Sequence, residues 1–366
     1  MASAPSGVDL LKHPTTLVPL ASLVLLIATW AHHEHPIVLV LIALGVGGSV
    51  LAAVHHAEVV AHKVGEPFGS LVLAVAVTAI EVGLIVMLMA GGGDGASTYA
   101  RDTVFAALMI TLNGIAGLSL LIGAWRHHLV SFNAAGTGSA LSTVVALASV
   151  CLVLPGFTVS AAGLEYSGSQ LAFAAIASLV LYGSFLFTQT VQHRDFFVPV
   201  GPGADDESVH APAPSTSAAW TSLGLLVVSL VAVVGLAKLL SPTIESGVDA
   251  LGFPYAVVGV VIALLVLAPE SIAAVRNARG DRVQISLNLA YGSAMASIGL
   301  TIPTIALATV WLDGPLVLGL EPMQITLLVI TVVVSTLTVV QGRAKALQGL
   351  VHLVLLATFV FFSVSP

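Results

Sequence analysis

Long apolar runs separated by short polar joints fill this chain almost from end to end. At about 20 apolar residues per crossing, with tolerance for tilt and ragged ends, the pattern predicts eleven membrane-spanning helices. They fall over residues 15–31, 37–60, 68–90, 102–125, 138–160, 166–190, 218–240, 251–275, 285–311, 321–341 and 347–365. Most joints carry Gly, Pro, Asp or His, as turns do. One joint differs. Between Arg194 and Ser217, six prolines and glycines surround Asp205-Asp206-Glu207, a composition that reads as a linker between two five-helix halves. The expected fold class is an all-α integral membrane protein with an inverted repeat. An extra N-terminal transmembrane helix lies within 1–35, a first five-helix repeat over 36–193, a cytoplasmic acidic linker over 194–217 and a second five-helix repeat over 218–366.

Composition removes the soluble alternatives. The 366 residues are 57% hydrophobic and 8% charged, whereas a soluble domain carries about 25% charged residues. The lipid bilayer is therefore the first partner, and a net charge of −7 gives no reason to expect nucleic acid. The single Cys151 sits in an apolar run and forbids an intrachain disulfide. The first apolar run follows Lys12 and shows no clear small-residue cleavage site, so a retained helix is expected. With eleven crossings, Lys12, Lys63, Arg126, Arg194, Arg276, Arg279, Arg282, Arg343 and Lys345 share the amino-terminal side, and only Arg101 and Lys238 face the other. The positive-inside rule then puts the N-terminus in the cytoplasm and the C-terminus outside, in a multi-pass protein of the cytoplasmic membrane.

Two acids lie deep in this pattern. Glu81 falls thirteen residues after Phe68, about 20 Å at helical rise, and Glu270 follows Pro269 within another apolar run. An ionised carboxylate at that depth costs several kcal/mol without a partner, and no Lys or Arg lies as deep, so both read as functional. Two such groups in low dielectric cannot both stay ionised without a cation between them. They bind either protons or a metal ion, and that competition is an exchange mechanism. A hard ion such as Ca²⁺ asks for six to eight oxygens, more than two carboxylates supply. Pro269 withholds an amide, and carbonyls released there are available as further ligands.

Five positions repeat between the halves. Ile110-Thr111-Leu112-Asn113 with Gly117 matches Ile285-Ser286-Leu287-Asn288 with Gly292, each on the helix after a deep glutamate. Inverted repeats meeting at the midplane place a transporter's binding site at their interface. Asn113 and Asn288 must hydrogen-bond inside the bundle, as direct ligands or behind them. Thr78, one turn before Glu81, is a candidate lining residue. So are Ser293 and Ser297, which form with Thr301 a polar stripe at i, i+4 and i+8; back-bonding to the preceding turn would explain the stripe equally well. The candidate metal ligands are thus Glu81, Glu270, Asn113, Ser293, Ser297, Thr78 and Asn288. His55, Glu58, His62 and Glu66 share one face near the inner end of the second helix, where they gather cations or simply solvate a helix end.

Several stretches resemble the ChaA-type cation/proton antiporters, in the cation/proton exchanger branch of the calcium/cation antiporter superfamily. They are Gly65-Glu66-Pro67-Phe68-Gly69 with Ile80-Glu81-Val82, Thr111-Leu112-Asn113-Gly114, Arg194-Asp195-Phe196-Phe197, Ser241-Pro242-Thr243-Ile244-Glu245, Pro269-Glu270 and the run from Gly292 to Pro303. The resemblance implies that Glu81 and Glu270 correspond to the essential acids of the two family repeats, and that helices 2 and 7 move against an ion-binding core. The branch usually has Gly-Asn shortly before each glutamate, where this chain has Val77-Thr78 and Val266-Leu267, and a glutamine where it has Ala296. The expected activity is Ca²⁺/H⁺ antiport exporting Ca²⁺ by alternating access, with Na⁺/H⁺ or K⁺/H⁺ antiport as the alternative on the same residues and no cofactor besides the transported cation. An intramembrane enzyme is the rival from another class, but H-E-x-x-H is absent and the nearest string is His32-His33-Glu34-His35. A passive cation channel is the third reading.

Overall fold

In the computed structural model, which describes residues 14–32, 35–65, 68–92, 95–200, 214–312 and 314–366, each predicted apolar run is helical. Lys12, His33, Glu34, Glu66, Pro67 and the acidic triplet Asp205-Asp206-Glu207 lie outside the described residues. The chain begins with α1 (Pro14–Thr29), α2 (Pro36–Val64) and α3 (Phe68–Gly91). The next span is α4 (Tyr99–Met109), a π turn over Ile110–Ile115 and α5 (Ala116–His127). Strand β1 (Val130–Ser131) leads to α6 (Ala134–Ala148), which finishes in a π turn and a 3₁₀ turn ending at Phe157. Then come α7 (Gly168–Phe187), α8 (Thr216–Leu251), α9 (Ala256–Arg279), α10 (Val283–Gly299), α11 (Thr301–Ala308) and α12 (Pro322–Val339). Strand β2 (Arg343–Ala344), paired antiparallel with β1, precedes α13 (Ala346–Val364). Among the described residues ten helical runs are long and apolar enough to cross a membrane, and α1 is a shorter apolar helix before them. This is the eleven-helix membrane fold that the hydropathy pattern predicts.

The largest boundary difference is α8, which runs to Leu251 rather than 240. Ser241-Pro242-Thr243 reads as a joint because Pro242 cannot donate to the preceding turn. Membrane helices tolerate such a proline when polar side chains satisfy the neighbouring groups. Ser241 and Glu245 place polar side chains beside this proline, Ser241 Oγ donating to Glu245 Oε1 at 3.3 Å.

The chain divides into two compact units: residues 1–91 with 212–247, and residues 92–211 with 248–366. The division cuts across the sequence halves. Helices 2 and 7, expected to form a moving part, fall in the first unit as α2 and α8, and the Glu81-bearing α3 falls with them.

In the first unit small residues let the helices close on one another. A Cβ on Gly48 would stand 2.8 Å from Val18 Cγ1, and one on Gly83 would stand 2.6 Å from Val234 Cγ2. Gly65, at φ +74°, turns α2 back into α3, and Gly69 N donates to Gly65 O at 2.7 Å. A Cβ on Gly69 would stand 2.6 Å from Ala61 O, so the motif needs glycine at both ends. His55, Glu58 and His62 form the exposed face expected of them, while His56 is buried and its Nε2 lies 3.0 Å from Thr15 O on α1.

The second unit is built around the span from Tyr99 to His127, in which every residue from Tyr99 to Asn113 is buried, so it packs on nearly all sides. Helices α9, α10 and α13 lie along it. The approach of α9 to α4 is close: a Cβ on Gly259 would stand 2.8 Å from the Asp102–Thr103 peptide. On the loop after α6, Tyr166 OH donates to Val150 O in the π turn at 2.5 Å, and burial pushes its phenol up to about 12.

Candidate cation site

In the first unit Glu81 lies on α3, thirteen residues past Phe68, and is 2% exposed. Its flanks Ile80 and Ile85 are fully buried, so α3 presents this carboxylate from an otherwise apolar surface. Thr78 is on the same helical face, one turn earlier. Its Oγ1 is buried and, among the described residues, has no hydrogen-bond partner.

In the second unit Glu270 lies fourteen residues past Ala256, and its Oε2 is closed off from solvent. Pro269 removes the amide that would bond Leu265 O, so the ladder of α9 is interrupted one residue before the acid. Ser271 Oγ donates to Leu267 O at 2.7 Å, within the same stretch.

Two other spans of the second unit are broken at comparable places along their length. Asn113 lies fourteen residues past Tyr99, inside the π turn, and Ser297 fourteen past Val283. Ser297 lies three residues before the interruption at Leu300, which separates α10 from α11 (φ −110°, ψ −38°). Pro303 then withholds the amide that would bond Gly299 O. The expected stripe Ser293, Ser297, Thr301 therefore does not continue along one helix. Ser293 is half-buried, Ser297 is buried, and Thr301 opens the next helix with its Oγ1 fully buried and, among the described residues, without a hydrogen-bond partner. Ser49, Thr103, Ser119 and Ser335 carry hydroxyls in the same state. What sets Thr78 and Thr301 apart is position: beside a deep acid, and at a helix break.

The two asparagines do different jobs. Asn113 is fully buried; its Nδ2 donates to Thr331 Oγ1 on α12 at 2.9 Å, and its Oδ1 lies 3.0 Å from His352 Nδ1 on α13. Asn288 is only five residues into α10. Its Oδ1 accepts from Gln284 Nε2 at 2.8 Å, and its Nδ2 donates to Phe197 O at 2.6 Å. Gln284 in turn accepts from Asn133 N at 2.6 Å. Asn288 thus ties the Arg194–Phe197 turn to the starts of α6 and α10. The five-position match that pairs Asn113 with Asn288 joins residues at different depths along their helices; by depth the counterpart of Asn113 is Ser297.

The structure brings Glu270, Asn113, Asn288, Ser293 and Ser297 into one unit and Glu81 with Thr78 into the other. Among the described residues no three His, Cys, Asp or Glu side chains cluster as a metal site. The first unit thus holds one deep carboxylate with the Thr78 hydroxyl near it in sequence, and the second holds one with the Ser271 hydroxyl and the carbonyl that Pro269 releases; oxygens of these kinds suit a hard cation. Sequence reasoning passed over His352 and Thr331. The signal for His352 was available, since a histidine inside an apolar run falls under the same rule that singled out the glutamates.

Residues 35–191 and 221–365 match the family model described as sodium/calcium exchanger protein. The chain is 45% identical over 353 residues to the protein y4hA of Sinorhizobium fredii, covering 96% of this chain and 95% of that one. It is 33% identical to the sodium-potassium/proton antiporter ChaA of Escherichia coli over 98% of both chains. Its fold is similar to that of the Ca²⁺/H⁺ antiporter protein YfkE, in the native form with a TM-score of 0.72 at 16% identity, over 96% of this chain and 100% of that one. The chain belongs to the sodium/calcium exchanger protein family.

Proposed function

We propose that the chain is a secondary active cation/proton antiporter of the cytoplasmic membrane, in which Glu81 and Glu270 take up cation or protons in turn. The observation that carries this reading is the placement of one carboxylate at mid-helix in each compact unit of a chain from an exchanger family. A carboxylate oxygen closed off from water holds a proton or a cation more readily than it stands bare; Glu81 is buried and half-buried Glu270 has its Oε2 so placed, so each glutamate couples the two ions. The charge asymmetry supports a cytoplasmic N-terminus.

For the cation, two observations favour Na⁺ or K⁺. The chain is 33% identical, over nearly its whole length, to ChaA, a sodium-potassium/proton antiporter. Asn113 and Asn288 also have amide oxygens facing His352 and Gln284, which leaves fewer side-chain oxygens for an ion that asks for six to eight. Ca²⁺, the expectation from sequence, is the second reading, supported by the fold shared with YfkE. Everted vesicles holding a proton gradient, given Na⁺, K⁺ or Ca²⁺ singly, separate them. Dissipation by the monovalent ions alone is expected. Dissipation by Ca²⁺ alone would reverse the assignment, and conduction without proton coupling would make the chain a channel.

A further inference from the structure

Resting on the antiport reading, we infer that His352 is a positioning residue for the cation site: it holds Asn113, and through it the π turn of the most buried span, in place for transport. Four observations meet at this side chain.

His352 lies within α13 and is 1% exposed. It reaches the π turn because α5 and α13 cross backbone to backbone. A Cβ on Gly117 would stand 2.7 Å from His352 Cβ, and one on Gly349 would stand 2.6 Å from Gly117 O. Two glycines at one crossing are what admit an imidazole there.

The hydrogen bonds then run in one direction. Asn113 Nδ2 donates to Thr331 Oγ1, so its Oδ1 is the acceptor, and His352 Nδ1 must carry the hydrogen. Thr331 Oγ1 passes its own hydrogen to Met109 Sδ at 3.7 Å. On the other side of the ring, Nε2 lies 3.4 Å from Thr338 Oγ1, which also reaches Val334 O at 2.9 Å. The bond to Asn113 thereby fixes the tautomer with hydrogen on Nδ1; the one hydroxyl hydrogen of Thr338 is given to Val334 O, so Nε2 only lies against Thr338 Oγ1. A directional chain of this kind polarises each bond and locks the rotamers along it.

The π turn itself needs such a hold. Ala116 N reaches back five residues to Thr111 O, so the Leu112 carbonyl loses its usual partner. A π turn costs helix geometry and recurs at functional sites. Here it redirects the backbone in the span against which the Glu270 helix packs. No other part of the mechanism uses His352, and a lone histidine buried among lipid-spanning helices is expensive to keep.

The test uses the purified full chain in proteoliposomes, with cation-driven proton flux measured against concentration of whichever of Na⁺, K⁺ or Ca²⁺ the wild type exchanges. His352→Leu removes the ring's bond to Asn113; His352→Asn keeps an N–H donor near the Nδ1 position. Loss of one buried hydrogen bond corresponds to about a tenfold rise in the cation KM for His352→Leu, with Vmax moved less. His352→Asn is expected to recover most of that rise. Thr331→Val, at the far end of the chain of bonds, is expected to raise KM in the same direction and serves as the readout if His352→Leu does not fold. Wild-type KM in either His352→Leu or Thr331→Val, or equal impairment of the Leu and Asn variants, overturns the positioning role. Absence of coupled flux in the wild type overturns the antiport reading instead, so the two failures are told apart.

Discussion

Asn113 Oδ1 stands 3.0 Å from His352 Nδ1, a bond that joins the π turn to α13 across 239 residues of sequence. The crossing that permits it has no room to spare at Gly117. Gly117→Ala would push a methyl group onto His352 Cβ, at an overpacking cost of about 1–3 kcal/mol. We expect a lower unfolding temperature in detergent together with a raised cation KM. An alanine variant with unchanged stability and kinetics would mean that the crossing is looser than the geometry states.

Thr78 and Thr301 allow a cleaner separation of stability from function. A buried hydroxyl without a protein partner adds no hydrogen bond to the fold, and replacing it by the isosteric methyl of valine removes a desolvation cost of about 1–3 kcal/mol. Thr78→Val and Thr301→Val are therefore expected to unfold at the wild-type temperature or above. If these oxygens serve the transported cation, each variant also shows a raised KM. Wild-type kinetics in both would leave the hydroxyls with no part in transport.

Arg101 and Asp102, at the start of α4, are 5% and 4% exposed. Arg101 Nε donates to Asp102 Oδ1 at 2.8 Å, and its Nη1 lies 3.2 Å from Glu321 Oε1 at the start of α12. Removing one partner of a buried pair strands the other charge, typically at about 3–5 kcal/mol. Arg101→Met is expected to lower thermal stability by that order. Glu321→Gln should cost under about 1 kcal/mol, because Glu321 is largely exposed and an exposed ion pair contributes little. Thermal unfolding of the two variants side by side checks the ranking, and equal losses would refute it.

Tyr166 gives a pH signature outside the spans. Its pKa is raised from 10.0 to about 12, so the neutral phenol is the form the fold favours. Stability from this group is fully present below pH 10 and is lost as pH rises towards 12. Tyr166→Phe should flatten the fall in unfolding temperature over that window while removing the bond to Val150 O. An identical fall in both proteins would assign it to other groups.

The spans and the two deep acids were legible because lipid imposes one local rule on every crossing: apolar for about 20 residues, with each ionisable exception requiring a reason. The end of α8 was misread because a proline that ends a helix in water can be carried inside a membrane helix, and α8 runs on through Pro242. The partnership of Asn113 with His352 and Thr331 was illegible for a different reason. Both contacts span more than 200 residues, and nothing local to Asn113 announces them. Pattern matching also paired Asn113 with Asn288, because residue identity repeats there while helix depth does not. Depth along the helix points instead to Ser297, beside a break that a one-dimensional stripe of hydroxyls cannot reveal.

The central claim is that one carboxylate from each unit carries the exchanged ions, and proteoliposomes of Glu81→Gln and Glu270→Gln test it most directly. Glutamine keeps the size and polarity of each side chain but can neither lose a proton nor balance a cation. The account predicts that each purified variant folds as the wild type does and shows no cation-driven proton flux. Wild-type flux from either variant would contradict it.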